Sequence, residues 1–265
     1  MRSSNPVLTR LTPETHAAPA PGYGAGYGSP YQPYQTAPPT VATQDRMTID
    51  DVVVKTVGLL GLVLLAGVAT AALVPIGPTL SMLWIGGAIV GLVLGLVISF
   101  NRNVSPPLIL TYAVVEGVFL GAVSKFFETV YPGIVIQAAV GTFAIFFTMA
   151  GLYKAKVIRA TPKFTRFMLG AVIAAVVVML LRFVLGLIFP GNILSDGGPV
   201  SIVVSLAIIA IAALTFILDF DQIEQAVAQG APRNLAWVSA FGILVGLIWV
   251  YLEVLRLLSY LRGSE

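Results

Sequence analysis

Val200 to Glu224 reads VSIVVSLAIIAIAALTFILDFDQIE. The run Val200–Leu218 carries no charge. At 1.5 Å of rise per residue an uncharged run of this length crosses the roughly 30 Å hydrocarbon core of a bilayer. The stretch therefore reads as a membrane helix that meets two carboxylates, Asp219 and Asp221, as it ends. The pattern recurs downstream, where the run from Leu235 to Val250 meets Tyr251-Leu252-Glu253. A carboxylate at the centre of a membrane helix costs about 2.5–3.5 kcal/mol on insertion scales. Such a residue is kept for an ion or proton path, or for a buried partner.

Working outward, composition gives the class. Hydrophobic residues make up 57% of the 265 and charged residues 10%, with mean hydropathy +0.93. A soluble domain carries about 25% charge, so this chain belongs in a bilayer. The net charge of +3 does not point to nucleic acid, because the basic residues lie in short connections between apolar runs. Zero Cys excludes disulfides, thiolate zinc sites and cysteine nucleophiles. The one histidine, His16, lies in a polar N-terminal stretch.

Seven apolar runs are read, at about Val53–Val74, Met82–Phe100, Leu108–Phe127, Ile134–Tyr153, Phe167–Phe189, Val200–Leu218 and Leu235–Leu258. Each is near the ~20 residues that span a bilayer. Pro75 and Pro78, Pro106-Pro107, Pro132-Gly133, Pro190-Gly191, Gly197-Gly198-Pro199 and Gly230-Ala231-Pro232 punctuate them. The expected fold is all-α and polytopic with seven transmembrane helices; six with a re-entrant last segment is the alternative. Thr48-Ile49-Asp50-Asp51 reads as a helix start, with acids placed for the N-terminus. Ahead of it, residues 1–46 are rich in Pro, Gly, Tyr, Gln, Thr and Ala and are expected to form a disordered tail. No apolar segment near Met1 suggests a cleavable signal peptide. Residues 47–265 form the membrane domain.

Lys154, Lys156, Arg159, Lys163 and Arg166 make the densest basic cluster, while the first-to-second and fifth-to-sixth connections have no Lys or Arg. The positive-inside rule then puts the tail, Arg46, Arg102 and Arg233 in the cytoplasm and the C-terminus outside. Arg262 argues weakly against this.

Glu116 lies near the midplane of the third run and Arg182 in the outer half of the fifth. Glu253 and Arg256 share a face of the seventh at i, i+3. These charges either neutralise one another, as Glu116 with Arg182 or Glu253 with Arg256, or line a water-filled path on which a carboxylate titrates. Gly117 and Gly121 form a small-xxx-small face suited to close helix packing.

Tyr112–Ser124 (TYAVVEGVFLGAVS from Thr111), Gly141-Thr-Phe-Ala-Ile-Phe, Ile217-Leu-Asp219-Phe-Asp-Gln-Ile223 and Tyr251-Leu-Glu253 resemble, in order and spacing, the Bax inhibitor-1 (transmembrane BAX inhibitor motif) family over about Met47–Arg262. The tail lies outside the resemblance, although such tails are similar to those of bacterial, especially actinobacterial, members. The resemblance implies a seven-helix fold with the last helix central and a pH-sensitive calcium leak. It further implies a proton-sensing latch between acids of the sixth and seventh helices, here Asp219 and Glu253, which would also meet Ca²⁺. An acid on the second helix of some relatives has no counterpart in Met82–Phe100.

Two nearby carboxylates can share a proton and repel once it leaves, and hard oxygen ligands suit Ca²⁺. On straight antiparallel helices, however, Asp219 and Glu253 are offset by about 13 Å along the axis. A kink or tilt would close that gap; otherwise Asp221 or Arg256 is the partner. Three readings follow: a cation pathway gated by carboxylates, a non-conducting regulator that binds other membrane proteins such as a membrane protease, and an intramembrane enzyme. The enzyme is not expected: there is no HExxH, no Ser-Lys or Ser-His arrangement in a helix, and no GxGD beside Asp219. No cofactor is expected; Ca²⁺ and protons are the transported species, the bilayer is the principal partner, and a bacterial plasma membrane is the expected location.

Overall fold

The computed structural model describes residues 46–101, 105–188 and 197–263. They form seven helices: α1 (Ile49–Leu73), α2 (Pro78–Phe100), α3 (Pro106–Val130), α4 (Ile134–Lys154), α5 (Pro162–Ile188), α6 (Pro199–Ala228) and α7 (Leu235–Gly263). All seven are long and apolar enough to cross a membrane. The tail expected to be disordered lies outside the described residues, apart from Arg46.

Local chemistry sets the helix starts. Thr48 accepts the Asp51 amide while the Asp51 carboxylate takes the Thr48 amide, a reciprocal cap for α1. α2, α3 and α6 each begin with proline, whose missing N–H would be unpaired there in any case. The turn into α4 needs Gly133 at φ 82°. The Glu128 carboxylate then accepts the Gly133 and Val135 amides at 2.6 and 3.1 Å, placing negative charge at the α4 N-terminus.

α7 is the central helix. It packs against α1, α3, α4 and α6, and Ala236, Ala240, Leu244 and Val250 on it are fully buried. Phe216 of α6 lies over Gly246 of α7, where a Cβ would come within 2.8 Å of the ring. α3 meets α1 along a seam of small residues: a Cβ at Gly117 would fall 2.6 Å from the Val63 carbonyl oxygen, and one at Gly67 3.2 Å from that of Gly117. Lipid supplies little hydrophobic drive between helices, so such close van der Waals contact has to hold them. α2 and α5 are peripheral: among the described residues the backbone of α2 packs on α3 and that of α5 on α6. Leu65, Leu73, Met82, Phe100, Phe167 and Phe183 are largely exposed, a surface a bilayer covers.

The helix ends alternate as seven crossings require. At one end the Met47 amide bonds the Ala231 carbonyl at 2.8 Å, Arg233 grips Asp51 at 2.8 Å, and Tyr153 donates to Glu224. The basic Lys154–Arg166 segment lies at this end, hereafter the basic end. At the opposite end Lys125 donates to the Ala71 and Val74 carbonyls at 2.7 and 2.5 Å, closing the C-terminus of α1. There Arg262 also donates to the Pro132 carbonyl at 2.8 Å.

One sequence expectation needs correction. Asp219 and Asp221 do not end the sixth helix: α6 continues to Ala228. Hydropathy falls at Asp219, but nothing there breaks the helix, and Asp221 and Gln225 bond at i, i+4.

Candidate functional site

Glu253 is the most deeply placed charge in the bundle, with its residue surface 0% exposed. Two arginines hold it. Arg256, one turn later on α7, donates to Oε2 at 2.7 Å; Arg182 of α5 donates to Oε1 at 3.2 Å. Arg182 is itself buried, and its Nε and Nη2 have no hydrogen-bond partner among the described residues. Its guanidinium lies 6.0 Å from the Tyr260 ring centroid, at the edge of cation–π range. A buried carboxylate is tolerable only when paired and hydrogen-bonded, and this one is paired on both oxygens. Ser201 and Ser205, in the first turns of α6, and Ser259 of α7 are also buried. Buried polarity thus gathers in the half of the bundle away from the basic end.

The other carboxylates sit elsewhere. Asp219 lies nine residues from the end of α6, about 14 Å from the basic end at 1.5 Å per residue. Glu253 lies eighteen residues into α7, about 27 Å from that same end. Among the described residues Asp219 has no hydrogen bond or ion pair, and no bond joins it to Glu253. The axial offset read from the sequence therefore persists, with Arg256 as the partner of Glu253. Asp221 accepts from Gln225 at 2.6 Å. It lines a cleft of about 440 Å³ with Thr165, Arg166, Leu218 and Gln222, where polar groups of α5 and α6 face each other at the basic end.

Glu116 does not pair with Arg182. α3 and α5 do not pack against each other, and Arg182 is committed to Glu253. Glu116 is buried instead between α3 and α2, its Oε1 against Gly91.

Sequence reading missed Lys125, Glu128, the Tyr153–Glu224 bond, the Arg233–Asp51 bridge and the 2.6 Å bond between Ser124 and Tyr251 that ties α3 to α7. A signal existed for Glu128: an acid just before a Tyr-Pro-Gly turn is placed to cap the next helix.

The family model described as Bax inhibitor 1 like matches residues 5–263. The chain belongs to that family. The match starts well before Met47, so the likeness read from the membrane motifs alone was drawn too short. No curated protein matches the chain. This Bax inhibitor 1-like protein is an integral membrane protein, with seven helices among the described residues.

Proposed function

We propose that this Bax inhibitor 1-like protein is a pH-sensitive cation pathway that leaks Ca²⁺, with Asp219 and Glu253 controlling it at two depths. The observation that carries the reading is Glu253, a carboxylate fully buried in the central helix and held by Arg182 from another helix. Buried intramembrane charge of this kind marks ion and proton paths. Two guanidinium groups around one carboxylate leave net positive charge at that level, which opposes a cation. The arrangement is therefore read as a closed outer constriction. Release of Arg182 from Glu253 would expose the carboxylate to a passing ion.

Asp219 has the opposite character: half-buried, with no partner among the described residues. It is free to take up and release a proton, and its ionised form attracts cations toward the pathway. Under this reading flux rises as the medium goes from acid to neutral. The cytoplasm lies at the basic end, where Lys154, Lys156, Arg159, Lys163 and Arg166 gather. No catalytic step and no cofactor are assigned; Ca²⁺ is cargo. Ca²⁺ flux into proteoliposomes of the purified protein, stepped in pH, tests the proposal. Flux without any partner supports a pathway, whereas its absence favours a regulator that acts by binding other membrane proteins.

A further inference from the structure

The α2–α3 interface holds a carboxyl group that none of these ion pairs reaches. Glu116 lies ten residues into α3, about 15 Å from the basic end and so close to mid-bundle. It is 7% exposed, and its Oε2 has no hydrogen-bond partner among the described residues. Facing it is Gly91 of α2, where a Cβ would stand 2.5 Å from Oε1. The glycine is the space the carboxyl group occupies.

No cation comes near it among the described residues. α2 carries no charged side chain. On α1, Asp51 and Lys55 lie in the first two turns and pair with each other and with Arg233. On α4 the charge is Lys154, exposed at the last residue. On α7, Glu253 and Arg256 hold each other and Arg182, and Arg262 binds Pro132 and Gln137. On α3 itself Lys125 caps α1 and Glu128 caps α4. Among tyrosines, Tyr251 is bonded to Ser124 and Tyr153 to Glu224. Tyr112, one turn before Glu116, is the hydroxyl that faces the carboxyl group.

We propose that Glu116 is a proton-binding site built into the α2–α3 interface, where the side chain is held as the neutral acid in the space left by Gly91. An ionised carboxylate without a counter-charge is untenable in a membrane span, whereas a carboxylic acid buries only a polar group. A metal ion does not fit: Ca²⁺ takes six to eight oxygens, and no group of three acidic or histidine side chains gathers among the described residues. Loss of the proton puts an unpaired charge against α2, whose backbone packs, among the described residues, on α3. The ligand is thus a proton, and its release loosens α2. The inference does not rest on conduction.

Infrared spectra of the purified protein in nanodiscs test it. At neutral pH the wild type is expected to show a protonated-carboxyl stretch that shifts when glutamate is ¹³C-labelled at its side-chain carboxyl. Glu116→Gln should lose that band. The melting temperature of the wild type should fall as the medium is made alkaline, while that of Glu116→Gln stays flat. Gly91→Ala should lower it and Gly91→Ala with Glu116→Ala should recover it. The label shift needs no variant, so a Glu116→Gln protein that does not fold leaves the test intact. A neutral-pH band that the glutamate label does not move, or that survives undiminished in Glu116→Gln, overturns the proposal.

Discussion

Arg182 of α5 reaches Glu253 of α7 at 3.2 Å although, among the described residues, the α5 backbone packs on α6 and not on α7. A single long side chain thus ties the peripheral helix to the central one. Removing one partner of a buried pair leaves an uncompensated charge, which typically costs about 3–5 kcal/mol. Glu253→Ala is therefore expected to lower stability by about 3 kcal/mol or more. Arg182→Leu combined with Glu253→Leu should recover most of that, since Arg256 is one-third exposed and can turn outward. Thermal unfolding of the purified variants checks both; a Glu253→Ala protein as stable as wild type would show that the pair is not buried.

The α1–α3 seam makes a second expectation. Gly117→Ala puts a methyl group 2.6 Å from the Val63 carbonyl oxygen, and relieving such overpacking typically costs about 1–3 kcal/mol. Gly170→Ala on α5 meets nothing within 4 Å and should be neutral or slightly stabilising. Melting temperatures of the two variants measured side by side decide the matter; equal values would contradict the seam.

At the basic end Asp51 closes the α1 cap and accepts Arg233. Asp51→Ala removes both and should lower stability. Arg233 is 61% exposed, and an exposed ion pair contributes about 0–1 kcal/mol, so Arg233→Ala should cost less. Chemical unfolding of the pair of variants tests the order; equal losses would place the stabilisation in the bridge rather than the cap.

Seven runs, their proline punctuation, the Thr48 cap and the Gly117–Gly121 seam were legible because each is local: a length, a ring without an N–H, a hydroxyl before two acids. The charge pairing was only half legible. Glu253 and Arg256 lie one helical turn apart, and that spacing is visible in sequence. Arg182 could equally have matched Glu116, because helices apolar all round show no periodic stripe to reveal which neighbour each side faces. The continuation of α6 beyond Asp219 was hidden for a related reason: a drop in hydropathy marks where a helix leaves apolar surroundings, not where its backbone stops. Bonds such as Arg233–Asp51 join residues 182 apart in sequence, and no short-range pattern encodes them.

Orientation gives a fourth prediction. With no native cysteine, single cysteines report cleanly. One at Thr161, in the basic segment, should resist a membrane-impermeant thiol reagent in intact cells, and one at Ile76, exposed between α1 and α2, should react. The opposite pattern would reverse the inside and outside assigned above.

The central claim is that Asp219 confers pH sensitivity on a Ca²⁺ pathway whose outer level Glu253 closes. Because no bond joins the two residues, their effects should be separable and near additive, unlike those of a shared-proton latch. The most direct measurement is Ca²⁺ flux into proteoliposomes across a pH series. Wild-type flux is expected to rise from acid to neutral pH. Asp219→Asn should flatten that rise, and Glu253→Gln, which leaves Arg182 and Arg256 without their carboxylate at the outer level, should lower flux at every pH while keeping the direction of its slope. An unaltered pH profile in Asp219→Asn, or no wild-type flux at any pH, would contradict the account.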